Sequence, residues 1–229
     1  AEFDAFQERL KEHKIEVTVI EDTSFPIKPD AIFPNNWISF HENGTVILYP
    51  MNTPNRQAER RQDVISLLAQ KFSVKQTIDL SIYEQQQLFL EGTGSIVFDH
   101  EHKVAYACIS PRTNEKLLNE LCEQIGYCPF AFRAVDEQGK DIYHTNVMMN
   151  VSKGFAVVCL DSLPDENGRK KLAGLLESTQ HEVINISHEQ MNHFAGNMLC
   201  VENVEGKQFL ICSQTAFLAL TDKQKETIS

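Results

Sequence analysis

A histidine and an asparagine, His144 and Asn146, stand two residues apart at the head of an apolar run, Tyr143-His144-Thr145-Asn146-Val147-Met148-Met149. Side chains at i and i+2 of a strand point to one face, so this spacing predicts an imidazole and a carboxamide in a common pocket. An imidazole titrates near neutrality and can both take and give a proton there. The competing reading is a strand whose first residues are polar only because they leave the sheet.

The elements that would position such a pair recur along the chain. Residues 2–12 place Phe3, Phe6 and Leu10 at helical spacing, and 14–21 is rich in β-branched residues and reads as a strand. A proline-bearing loop then leads to a candidate strand at 35–40, an Asn43-Gly44 hairpin turn, a return strand at 45–49, a helix at 55–72 and a strand at 75–80. The same order follows at 95–98, 104–109, 113–125 and 130–135, and again at 146–151, 155–160, 165–178 and 182–186. A further copy runs through 197–201 and 209–212 into a helix near Asp222.

Each copy is strand, turn, strand, helix, strand, at a period of roughly 50 to 60 residues, which points to a ring of one supersecondary unit. The chain opens and closes within a unit. The expected fold is therefore α/β: a five-fold pseudosymmetric propeller of ββαβ units, incomplete at both chain ends. Residues 1–229 would form a single domain, with a partial unit at 1–21, units at about 35–80, 91–135 and 144–187, and a partial unit at 195–229. A pair of ordinary α/β domains is the alternative. In a ring, equivalent positions converge on the axis, and Asn36, Glu91, His144 and Asn197 all stand at the start of their units. Burying each polar group costs on the order of 1 to 3 kcal/mol unless it is paired, so their recurrence argues for a site.

Composition narrows the function. At 229 residues, 42% hydrophobic and 23% charged, the chain can bury a sizeable core, and a formal net charge of -11 repels nucleic acid and anionic membrane surfaces. There is no signal-peptide pattern and no apolar run near the roughly 20 residues a membrane span needs. Its cysteines sit mostly in apolar runs without zinc spacing, which suggests buried thiols in a reducing cytoplasm and no metal site. The composition is compatible with a homo-oligomer.

Phe33-Pro34-Asn35-Asn36-Trp37, Leu90-Glu91-Gly92-Thr93-Gly94-Ser95, Ser110-Pro111-Arg112-Thr113-Asn114 and Tyr143-His144-Thr145-Asn146-Val147-Met148-Met149 resemble the motifs of the pentein superfamily of guanidine-modifying enzymes. The resemblance spans nearly the whole chain and points to the citrulline-utilisation hydrolase branch. It implies a cysteine nucleophile that attacks a guanidino or ureido carbon. His144 would be the general acid and base, and Glu91 the carboxylate that orients it or the substrate nitrogens. No cofactor is required by that chemistry.

Two departures from the superfamily pattern are informative. Where deiminases carry aspartates that grip a guanidinium, this chain has Asn36 and Asn146, and a neutral amide suits a neutral ureido group. Arg56 and Arg112 lie where the resemblance places arginines that clamp an amino-acid carboxylate. The superfamily's glycine-rich cysteine motif is missing here, and Cys108, Cys159 and Cys212 fall in return strands, while Cys200 is out of step with Asn197. The nucleophile is accordingly expected in a segment beyond Ser229, without which residues 1–229 would be inactive and leave sheet edges uncovered. The expected activity is hydrolysis of citrulline to ornithine, carbon dioxide and ammonia. The alternatives are an arginine-directed deiminase or amidinotransferase, and a non-catalytic binding protein of the same fold.

Overall fold

A computed structural model describes residues 2–228. Helix α1 (Glu2–Glu12) is followed by irregular chain, a 3-10 turn (Pro34–Asn36), β1 (Ile38–Phe40), β2 (Thr45–Leu48), α2 (Pro54–Gln57), α3 (Gln62–Leu68) and β3 (Gln76–Asp79). Next come the one-turn helix α4 (Gly92–Ser95), β4 (Val97–Asp99), β5 (Val104–Cys108), α5 (Glu115–Ile125) and β6 (Cys128–Phe132). A second 3-10 turn (Thr145–Val147) precedes β7 (Met149–Ser152), β8 (Phe155–Val158), α6 (Glu166–Ser178), β9 (Glu182–Asn185) and α7 (His188–Asn192). Strands β10 (Leu199–Glu202) and β11 (Gln208–Ile211) and helices α8 (Gln214–Ala219) and α9 (Asp222–Ile228) complete the order.

Three sheets share one topology, an antiparallel hairpin whose second strand pairs in parallel with the strand after the helix: β1-β2-β3, β4-β5-β6 and β7-β8-β9. β10 and β11 form a hairpin alone. The middle strands β2 and β5 are buried along their whole length, because neighbours cover both faces, and so read as continuous apolar runs. Helix α5 buries Leu117, Leu118, Leu121 and Cys122 on one stripe. It starts where the Asn114 side chain accepts from the Leu117 N–H and stops at Gly126, whose φ of 72° suits a residue without a Cβ. Replacing Asp165, which caps α6 by accepting from the Asn167 and Gly168 N–H groups, with alanine is expected to cost about 1 kcal/mol, read as a lowered Tm with the far-UV spectrum kept.

The repeat holds, and its details differ from the sequence expectation at several places. Residues 14–21 form no strand: among the described residues no strand lies alongside to complete a ladder. The segment instead runs between the β10–β11 hairpin, where the Val204 N–H donates to Lys14 O, and the first helical layer, where Lys71 reaches Thr18 and Arg61 reaches Glu21 O. The expected helix 55–72 is two helices, with Arg60 between them turned to Glu84 and the Tyr49 carbonyl. Helix α7, with its Ser187–Gln190 capping box, and α8 ahead of Asp222 were not foreseen. The outer ends of the two partial units, Ala1 and Ser229, lie outside the described residues. Among those residues no helix is long and apolar enough to cross a membrane.

Candidate active site

The first strand of each sheet starts later than its polar motif, so the motif residues sit on short helical turns that enter the strand. Asn36 closes the turn before β1, Glu91 is the N-cap of α4, and His144 is the extended residue before the turn that enters β7. These turns meet. The His144 ring Nε2 lies 2.7 Å from Glu91 Oε2, and the Asn36 amide donates to the Glu91 carbonyl oxygen at 3.5 Å. Gly94 lies where Asn36 and His144 converge: a Cβ there would stand 2.3 Å from Asn36 Nδ2 and 2.8 Å from His144 Nδ1.

Glu91 is fully buried. Its Oε1 accepts the Asn52 N–H at 2.9 Å, and its Oε2 receives His144 and, at 3.4 Å, the Arg112 guanidinium. Burial works to raise this carboxyl, but hydrogen bonds from His144 and Asn52 and the charges of His144 and Arg112 outweigh it, so it sits below the usual carboxylate range. An ionised Glu91 only accepts, which assigns the proton to His144 Nε2 and leaves Nδ1, beside Gly94, to exchange protons. The backbone beneath is fixed by hydroxyls: Ser95 accepts the Glu91 N–H and donates to Arg112 O, Thr113 donates to Ser95, and Thr145 accepts the Cys108 N–H.

Arg56 is buried and engaged on three sides. It forms a paired contact with Glu59, donates to Asn36 Oδ1 at 3.0 Å and donates to Phe33 O at 3.1 Å. It therefore orders Asn36 from behind. Arg112 is different: its side chain is 33% exposed, it touches Glu91, and it lies 5.3 Å from the centre of the Tyr143 ring. Asn146 lies within the 3-10 turn after His144 and hydrogen-bonds no side chain of this cluster, so the strand-face argument that paired it with His144 fails: the chain is helical there. Asn197 is exposed and does not join the buried group.

None of the six thiols hydrogen-bonds His144 or Glu91 among the described residues. Burial pushes Cys108 up to about 11 and Cys122 up to about 12, the state of thiols that pack rather than react. Sequence reasoning missed the Asn52 amide, the Ser95–Thr113–Thr145 hydroxyls and Tyr143. Ser95, Thr113, Thr145 and Tyr143 carried a signal as members of the motifs around Glu91, Arg112 and His144, and Asn52 carried none.

A buried carboxylate–imidazole pair stands where ββαβ units meet, an arrangement that can move protons, and solved structures agree with the fold. The N-terminal domain of ArgZ, an arginine dihydrolase from the ornithine–ammonia cycle in cyanobacteria, matches at 18% identity and a TM-score of 0.70, covering 98% of this chain and 74% of that domain. Unliganded AgrE matches at 19% identity and a TM-score of 0.70, covering 99% of this chain and 29% of that one. A dimethylarginine dimethylaminohydrolase variant, solved as an adduct with S-methyl-L-thiocitrulline, matches at 14% and 0.62, covering 95% of this chain and 75% of that one. The chain spans 29% of the length of full-length ArgZ. No curated protein sequence matches.

These are pentein-fold, guanidine-modifying enzymes, and the present fold is of that class. The chain belongs to the family of N,N dimethylarginine dimethylhydrolase, eukaryotic, whose pattern it matches over residues 1–229.

Proposed function

We propose that the protein is a C–N hydrolase acting on the ureido group of citrulline, with Glu91 and His144 as its acid–base pair. The observation that carries the choice of substrate is the charge balance of the site. Among the described residues, Glu59 is matched by Arg56 and Glu91 by Arg112, so neither of these two carboxylates is left over for a guanidinium, and the side chain facing Gly94 beside His144 is the neutral amide of Asn36. A neutral ureido group needs donors and acceptors without net charge, which an amide provides. Asn146, two residues beyond His144 in the middle of the turn, is proposed as a second amide toward the same group.

In this reading a cysteine carried outside residues 1–229 passes its thiol proton to His144 Nδ1 and attacks the ureido carbon as the thiolate. His144 gives a proton from Nδ1 to the departing ammonia, leaving an S-carbamoyl enzyme that retains the ornithine nitrogen. His144 then takes a proton from water, which displaces the thiolate, and the released N-carboxy amine breaks down to ornithine and carbon dioxide. Glu91 holds the imidazole and stabilises its protonated form. Arg112 is the proposed clamp for the substrate carboxylate, with a partly exposed guanidinium and Tyr143 as a backing plane; Arg56 acts through Asn36.

The family match favours a second reading, a methylated arginine as substrate. Ammonia and amine release by the full-length protein separates the two. Turnover of citrulline well above that of arginine and dimethylarginine is the expected result, and turnover of either guanidine with none of citrulline would contradict it.

A further inference from the structure

We propose that Asp99, His102 and His181 form a zinc-type divalent cation site that clips the second ββαβ unit to the third. Asp99 ends β4, His102 lies in the β4–β5 turn and His181 stands just before β9, at the opposite end of β4 from Glu91. One ligand atom from each, two imidazole nitrogens and a carboxylate oxygen, lie within 4.8 Å of one another. His102 Nδ1 is 3.0 Å and His181 Nε2 3.8 Å from Asp99 Oδ2. Tetrahedral coordination with bonds of about 2.0–2.1 Å sets ligand atoms about 3.3 Å apart, so the two contacts to Asp99 Oδ2 lie within about 0.5 Å of that spacing, and the two imidazole nitrogens would draw together to meet one ion. The two rings already meet edge to face, 5.5 Å between centres at 70°.

The surroundings orient the group as a ligand set. Asp99 and His181 side chains are 3% and 4% exposed, and Asp99 Oδ1 is held by the Glu101 and His102 N–H groups, which leaves Oδ2 for the histidines. The Thr179 hydroxyl lies 3.0 Å from His181 Nδ1 and within reach of the Leu175 and Leu176 carbonyls at the end of α6. A hydroxyl has one proton, so giving it to a carbonyl makes Thr179 accept from His181 Nδ1–H, and the Nε2 lone pair then faces Asp99. A lone pair and a carboxylate oxygen facing each other in a buried place are what a cation joins, and a second partner that fixes the tautomer is the usual support for a metal-bound histidine. His102, whose Nδ1 lies 3.0 Å from Asp99 Oδ2, would complete the set by carrying its proton on Nε2 once an ion takes the place between them. Two imidazoles and one carboxylate with a fourth place for water suit zinc. Nothing in the spacing announced this, since His181 lies in another unit from Asp99.

The test uses the full chain, stripped with chelator and titrated with Zn²⁺ by calorimetry, with Co²⁺ absorption as a reporter of geometry and ligand type. The expected result is one Zn²⁺ per chain, a tetrahedral Co²⁺ spectrum without thiolate charge transfer, and a Tm that rises with Zn²⁺. His102→Gln, on an exposed turn where folding should survive, is expected to abolish the Tm response, and Thr179→Ala to weaken binding about 10- to 100-fold. No binding, thiolate bands with Co²⁺, or equal affinity in His102→Gln with its circular dichroism unchanged would each overturn the proposal.

Discussion

Glu91→Ala is expected to damage both stability and turnover. The carboxylate is fully buried and serves His144, Arg112 and the Asn52 amide together. Removing it leaves a buried imidazole and a partly buried guanidinium without their common acceptor. Breaking a buried pair in this way costs about 3 kcal/mol, the low end of the range because Arg112 is partly solvated. Denaturant unfolding checks that figure. The pH dependence follows from the direction of the shift: the folded carboxyl lies below its unfolded value, so its contribution is present above an unfolded pKa of about 4.3 and is lost as pH falls through the folded value. The wild type should therefore lose stability on acidification below about pH 4 more steeply than Glu91→Gln. On turnover, His144→Ala in the full-length protein is expected to remove about 100- to 10,000-fold in kcat, the usual size of a general acid–base contribution, while the fold persists. Unchanged kcat would take His144 out of the mechanism.

The two motif glycines should separate folding from chemistry. Gly92 has a φ of 48°, and a Cβ there would stand 2.2 Å from Asn35 O and 2.8 Å from Asn36 O. Alanine meets about 1–2 kcal/mol of left-handed strain and about 1–3 kcal/mol of overpacking against backbone that cannot swing away. Gly92→Ala should therefore lower Tm sharply or prevent folding. A Cβ at Gly94 instead meets the Asn36 amide and the His144 ring, the ends of side chains that can turn. Gly94→Ala is expected to fold and to lose about 100-fold in kcat/KM, because the acid–base pair is displaced by the order of 1 Å. Equal effects of the two substitutions on stability would refute this division.

The unit repeat was legible because its pieces carry local chemistry: apolar runs for middle strands and Asn43-Gly44 for a turn. Convergence of Asn36, Glu91 and His144 followed from the repeat, with roles supplied by family resemblance. What failed depended on long-range partners. Residues 14–21 have strand composition but, among the described residues, no strand beside them. Asn146 was assigned to the face of a strand where the chain makes a 3-10 turn, and Asn197 occupies the equivalent sequence position yet stays at the surface. Arg56 looked like a substrate clamp by position, and only its contacts with Glu59 and Asn36 reveal a guanidinium already engaged.

The central claim is that Glu91 and His144 act as one unit, and a double-substitution cycle on kcat in the full-length protein tests it most directly. Arg112 loses its partner in every Glu91 variant, but the proposed carboxylate clamp acts chiefly through KM, so kcat isolates the pair. Glu91→Gln should lower kcat strongly when His144 is present and change it by no more than about twofold in the His144→Ala background. The same fractional loss in both backgrounds would contradict the account.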